Sequence, residues 1–204
     1  VIIATQMMES MITNISPSRA EVNDVAPSVM AGTDAVMLSG ETSVGKHPVK
    51  VVEAMARIIE HVEQTSYNYY RSTPLPEVDM KSDRYISNSI CYSAAKIAKS
   101  TDAAAIITST HTGYTALQVS SHRPKATIYV FTDNKEILTT LNLVWGVKSF
   151  YYDKHESTDS TISEIKDFLQ KNKLVKINDY IINISSIPLN EKGKSNMIKL
   201  SVVD

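Results

Sequence analysis

Short apolar, β-branched runs alternate with amphipathic stretches along this sequence, and that alternation limits the fold more than any other feature. Residues 1–5, 35–38, 104–107, 127–131 and 147–151 read as strands of the kind buried in parallel sheets. Helical patterns lie between them. One starts at Ser18, where Glu21 three positions on completes a capping box, and it stops near Ala31 before Gly32. Pro27 sits inside that helix, removes an amide donor and predicts a kink. Another opens on Pro48 and runs to about residue 67, with Val52, Met55, Ile58, Ile59 and Val62 as its apolar stripe. Further helices are expected over 86–99, 113–122, 135–143 and 161–171. Ile90, Ala94, Ile97 and Ala98 share one side of the first of these. Two late strands, 180–184 and 197–202, suit an antiparallel hairpin. Strands alternating with helices predict an α/β fold.

Residues 72–83 carry two prolines and several polar side chains, so they divide the chain into residues 1–71, a linker and residues 84–204. Lys and Arg total 21 against 22 Asp and Glu, a net charge of −1 that gives no basic surface for nucleic acid or membranes. No run of about 18 apolar residues is present to cross a bilayer. The one cysteine, Cys91, excludes an intramolecular disulfide framework and makes a reducing, cytoplasmic setting the default. On its helix beside Ala94 it reads as a buried small hydrophobe. His47, His61, His122 and His155 have no mutual metal spacing and read as surface or linker residues. Trp145 reads as a packed ring.

Polar side chains follow two of the strands directly. Thr5 ends the first, and Ser39, Gly40 and Glu41 make a polar turn after residues 35–38. In parallel sheets ligands bind at the carboxyl ends of strands, so these groups are candidates for a site. Turns and caps favour the same residue types, so spacing leaves both readings open.

Three segments carry a resemblance to one family: ATQMMESM at 4–11, RAEVNDVA at 19–26 and MLSGET at 37–42, followed by Gly45 and Pro48. Together, in this order, they resemble the end of the catalytic barrel of the pyruvate kinases. The likeness continues collinearly to the end of the chain. It implies that residues 1–71 are the last two β/α units of a TIM barrel. Residues 84–204 would form the family's α/β carboxy-terminal domain, with a mostly parallel five-stranded sheet. The implied reaction is phosphoryl transfer from phosphoenolpyruvate to ADP in glycolysis, with Mg²⁺ and K⁺ and commonly a homotetramer. Thr5 would meet substrate, with Ser39 and Glu41 in a supporting polar network. The resemblance places Arg19 and Glu21 in a structural role. It also places the metal ligands and phosphate-binding cations before Val1, so the 204 residues alone are expected to be inactive.

A second candidate site follows the strand at 104–107. Thr110, His111, Thr112, Gly113 and Thr115 place hydroxyls and helix-terminal amides in one loop, which suits phosphate. Helix capping by Thr110 or Thr112 explains the same residues. In the resembling family this loop takes phosphorylated effectors. His111 stands where some members have lysine, and Tyr114 where some have arginine. Lys192 and Lys194 would flank it from a late loop. The alternative to a piece of an enzyme is a standalone phosphate-effector-binding module without catalysis.

Overall fold

The computed structural model describes residues 1–4, 7–65, 83–154, 158–187 and 195–204. Thr5, the tyrosines at 67, 69 and 70, most of the 72–83 linker, His155, Lys192 and Lys194 lie outside them. The chain divides into two compact units, Val1–Tyr69 and Tyr70–Asp204.

In the first unit, β1 (Ile2–Ile3) and β2 (Ala35–Val36) pair in parallel, with Ile2 opposite Ala35 and Ile3 opposite Val36. Both are shorter than the apolar runs that predict them. After β1 the chain makes a 3₁₀ turn, Glu9–Ile12, which no sequence pattern announces. Helix α1 (Arg19–Met30) has the predicted capping box: the Ser18 hydroxyl accepts the Glu21 amide, and the Glu21 carboxylate accepts the Ser18 amide. The helix continues through Pro27. At its far end the Gly32 amide donates to the Val29 carbonyl and the Thr33 amide to that of Ser28, the two bonds of a Schellman motif.

Residues after β2 form a short helix, α2 (Gly40–Ser43), where the sequence suggests only a turn. Helix α3 (Pro48–Thr65) starts at the predicted proline. Its buried stripe is Val51, Ala54, Met55 and Val62, while Val52 is half exposed. The stripe is therefore rotated from the predicted one, because a run of valines gives periodicity no unique phase. Met7, Met8, Met11, Val25 and Val29 meet α3 in one core.

The second unit holds α4 (Asp83–Thr101), β3 (Ala105–Ser109), α5 (Tyr114–Ser121), β4 (Thr127–Thr132), α6 (Lys135–Leu141), β5 (Val147–Tyr151), α7 (Thr158–Lys171), β6 (Tyr180–Ser185) and β7 (Met197–Val202). The five strands form one sheet in the order β5-β4-β3-β6-β7, parallel except for β7, which runs antiparallel to β6 as the hairpin reading expects. Alternation along the central strands supplies two cores. Ile106, Ile128, Ile182 and Ile184 pack with Cys91, Ala94 and Ala98 of α4, Ala116 and Val119 of α5 and Leu141 of α6. Ala105, Ile107, Tyr129, Phe131 and Ile181 pack with Ile165 and Leu169 of α7. Removal from water of each large side chain contributes about 1.5–3 kcal/mol. The sheet runs outward from β3 through β4 to β5 on one side and through β6 on the other. The chain thus reverses direction across the sheet between β3 and β6, where open α/β sheets form ligand crevices.

Candidate functional site

In the first unit, the parallel pairing of β1 and β2 sends the segments that follow them out at the same edge. The Met37 amide still donates to the Ile3 carbonyl, at 2.9 Å. Glu41, on the first turn of α2, is 3% exposed. One of its carboxylate oxygens accepts the Ser39 amide at 2.7 Å and the other the Met8 amide at 3.4 Å. One buried side chain thereby ties the loop after β1 to the turn after β2. Ser39 itself is exposed at the start of α2, and its hydroxyl does not cap that helix. Gly45 closes the turn: a Cβ there would lie 2.2 Å from the Glu41 carbonyl oxygen, so the backbone permits no side chain.

Glu21 does similar work eleven residues from the 3₁₀ turn. Its carboxylate accepts the amide and hydroxyl of Ser10 and the amide and hydroxyl of Ser18. Burial raises its pKa, and the hydrogen bonds from Ser10 and Ser18 together outweigh that, leaving it below the ordinary carboxylate value. Both buried carboxylates of this unit are thus committed to holding backbone. Among the described residues no three His, Cys, Asp or Glu side chains are grouped to hold a metal ion.

The predicted phosphate loop of the second unit spans the end of β3 and the start of α5. Gly113 has φ of 80°, a left-handed conformation that favours glycine at the helix entry. The Thr110 hydroxyl accepts the Gly113 amide at 3.1 Å, and the Thr112 hydroxyl accepts the Tyr114 amide at 3.4 Å. Gly113 stands at the N-cap and neither threonine caps α5; their hydroxyls hold the turn that leads into it. Each hydroxyl keeps its own hydrogen to donate. His111 is held across the loop, its Nδ1 2.6 Å from an Asp133 carboxylate oxygen and its carbonyl accepting from Asn134 Nδ2. Thr115 turns inward instead, sharing a buried hydrogen bond of 2.9 Å with Ser195 just before β7. Tyr114 donates to Asn88 of α4 at 2.8 Å, with the Arg84 guanidinium over its ring. The loop thus brings Thr110, His111, Thr112 and Gly113 together and diverts Thr115 to packing.

Sequence reasoning missed one partner in the loop and one buried hydroxyl beneath it on β3. Asp133 sits after β4, and nothing local marks it as a partner of His111. Thr108, on β3, is fully buried with no hydrogen-bond partner for its hydroxyl, and it reads in sequence as one more strand residue. His122 corrects an expectation: it is 8% exposed, its ring edge-on to Tyr92 with centroids 5.4 Å apart, because Tyr92 and the end of α5 enclose it. Trp145 packs as expected, under the Arg123 guanidinium.

Comparison with known proteins follows the same division. The family model described as the pyruvate kinase alpha/beta domain matches residues 88–201, and that for the pyruvate kinase barrel domain matches residues 1–52. A pyruvate kinase of Clostridium acetobutylicum is 37% identical over 205 residues, which cover 100% of this chain and 42% of that protein. Pyruvate kinase 2 of Synechocystis is 39% identical over 203 residues, covering 100% of this chain and 33% of its own length. Among solved structures, a Cryptosporidium parvum pyruvate kinase matches with a TM-score of 0.86 at 31% identity, covering 100% of this chain and 40% of that one. The chain spans roughly a third to two fifths of the length of these relatives.

Proposed function

Because the chain belongs to the pyruvate kinase family, we propose that it supplies the carboxy-terminal part of an enzyme transferring the phosphoryl group of phosphoenolpyruvate to ADP. The observation that carries this reading is the Glu41 clamp. Two parallel strands release their loops at one edge, and a buried carboxylate fixes one loop against the other. Phosphoryl transfer depends on positioning and charge neutralisation, so rigid loops at a barrel mouth are what it needs. Thr5 is the proposed hydroxyl donor to substrate. Glu41 acts through the backbone it holds and is a positioning residue, and Ser39 is the exposed hydroxyl beside it.

Mg²⁺ and K⁺ belong to the same proposal. They would supply charge neutralisation at the transferred phosphoryl group. Glu21 and Glu41 do not fit them, since their oxygens already accept backbone amides. We place the metal ligands in the region of the relatives that this chain does not cover. The assembled enzyme would work in the cytoplasm, as a homotetramer. Among the described residues no helix is long and apolar enough to cross a membrane.

The second unit is proposed as the regulatory part, with the loop at 109–115 taking a phosphorylated effector. The hydroxyls of Thr110 and Thr112 are its donors. The barrel match over residues 1–52 favours the enzyme over a standalone effector module.

A chimera tests the catalytic reading. This chain replaces the matching 42% of the Clostridium acetobutylicum enzyme, and pyruvate formation is followed in a coupled assay. Turnover by the chimera, its loss in Thr5→Ala and none from the 204 residues alone are expected. Robust turnover by the 204 residues alone refutes the assignment.

A further inference from the structure

We propose that Ser10 and Glu21 form a positioning pair for turnover, holding the loop that carries Thr5; the inference rests on the reading of Thr5 as the hydroxyl donor to substrate. Thr5 lies in the short segment between β1, which ends at Ile3, and the 3₁₀ turn that starts at Glu9. The backbone is fixed before it, where the Ile3 carbonyl accepts the Met37 amide at 2.9 Å. It is fixed after it at Met8, whose amide donates to Glu41 at 3.4 Å, and again at Ser10. The hold at Ser10 is the stronger of these two. Its amide donates to Glu21 Oε1 at 2.7 Å, and its hydroxyl to Glu21 Oε2. The Met8 contact is longer than an ordinary N–H···O bond.

Glu21 holds Ser10 firmly because it is itself held. It is buried in the first turn of α1, where its Oε2 also accepts the Ser18 amide at 2.7 Å and the Ser18 hydroxyl at 2.8 Å. Val25 and Val29 seat α1 in the core with Met8 and Met11, the fully buried side chains before and after Ser10. The carboxylate keeps its charge at neutral pH, since its pKa lies below the ordinary value, and an ionised acceptor makes the stronger bond. The core thus fixes α1, α1 fixes Glu21, and Glu21 fixes the backbone at Ser10, close in sequence to Thr5. Misplacing a reacting group by about 1 Å costs on the order of 10²-fold in rate, so turnover depends on such anchoring. Glu21 acts through the loop and does not itself meet substrate.

The test uses the chimera described above and substitutions that leave the helix cap in place. Ser10→Ala removes one of the two bonds and leaves Ser18 and Glu21 joined. It should lower kcat about tenfold with KM within about twofold of wild type, the pattern of lost transition-state positioning. Ser10→Thr restores a hydroxyl and should recover most of that loss. On the residual turnover of Thr5→Ala, adding Ser10→Ala should cost less than about twofold, because residues that act as a unit are not additive. Val62→Ala, a core truncation on α3 outside both clamps, should lower the melting temperature and leave kcat unchanged. The 204-residue chain gives a readout without turnover: hydrogen exchange at the amides of positions 8–10 should be faster in Ser10→Ala than in Val62→Ala. Loss of turnover in Thr5→Ala with wild-type kcat in Ser10→Ala overturns the role of the pair and leaves Thr5 as the donor. Equal exchange in the two variants overturns it as well. Full activity in Thr5→Ala, or no turnover by the unsubstituted chimera, overturns the catalytic reading and this inference with it.

Discussion

Ser10 gives both its backbone N–H and its hydroxyl to the carboxylate of Glu21, joining the 3₁₀ turn after β1 to the first turn of α1. The same carboxylate closes the capping box with Ser18, so one side chain anchors a loop and starts a helix. Glu21→Ala leaves the Ser10 and Ser18 amides without their acceptor and should cost about 2–4 kcal/mol, the sum of a lost cap and a lost charged hydrogen bond. Glu21→Gln retains the shape but not the charge. Because the folded pKa of Glu21 is depressed, its contribution is present above the unfolded value near 4.5 and is lost as pH falls through the folded one. Thermal melts of wild type and Glu21→Gln should converge as pH drops below about 4.5. Curves that stay parallel across that range would rule out the carboxylate as the source.

Gly45→Ala tests the second clamp. Its new methyl would meet the Glu41 carbonyl at 2.2 Å, backbone against backbone-fixed carbon, and no rotamer relieves it. The turn must open, carrying the Glu41 side chain away from the Ser39 and Met8 amides. A destabilisation of about 2–4 kcal/mol by urea unfolding is expected, comparable with other buried-network losses. Glu41→Gln should cost less, because an amide oxygen can still accept one of the two N–H groups. Equal effects for the two substitutions would show that the glycine matters for the turn alone.

What sequence could show and what it could not separate along a physical line. The capping box of Ser18 and Glu21, the helix stop at Gly32 and the proline start of α3 are local, set by residues a few positions apart, and all are legible. The sheet follows from short apolar runs, including the antiparallel return of β7. The bond from Met8 to Glu41 spans 33 residues, and that from Thr115 to Ser195 spans 80. Neither leaves a periodic trace, so the sequence marks Glu41 as a candidate for chemistry and cannot show that its oxygens are taken. His122 misleads for the same reason: a histidine before Arg-Pro reads as a helix end, and its burial depends on Tyr92 from a helix thirty residues earlier.

That burial makes His122 a source of pH dependence. Desolvation holds its pKa below the ordinary value of 6.5, and its Nδ1 is buried without a hydrogen-bond partner. The unfolded chain therefore binds the proton more readily than the folded one. Stability attributable to His122 is complete above about pH 6.5 and declines as pH falls toward the lowered folded pKa. Melting temperatures between pH 7.5 and 5 should fall more in wild type than in His122→Phe, which retains an aromatic ring against Tyr92 and cannot titrate. A histidine variant with the same pH slope as wild type would assign the dependence to other groups.

Cys91 offers a probe of how the second unit opens. Its side chain is fully buried on α4 among Ala94, Ala116 and Ile184, and burial pushes the thiol pKa up to about 12. Thiolate is the reactive form, so both access and ionisation oppose modification in the folded state. Labelling by a thiol reagent at neutral pH should proceed only through opening of the α4–sheet core. At reagent levels where reclosing outpaces modification, its rate should follow the unfolding equilibrium, rising with urea in parallel with loss of circular dichroism. Cys91→Ala removes one sulfur from a close-packed site and should cost about 1 kcal/mol while keeping the fold. Rapid labelling without denaturant would mean that α4 separates from the sheet far more readily than its packing against Ile182 and Ile184 allows.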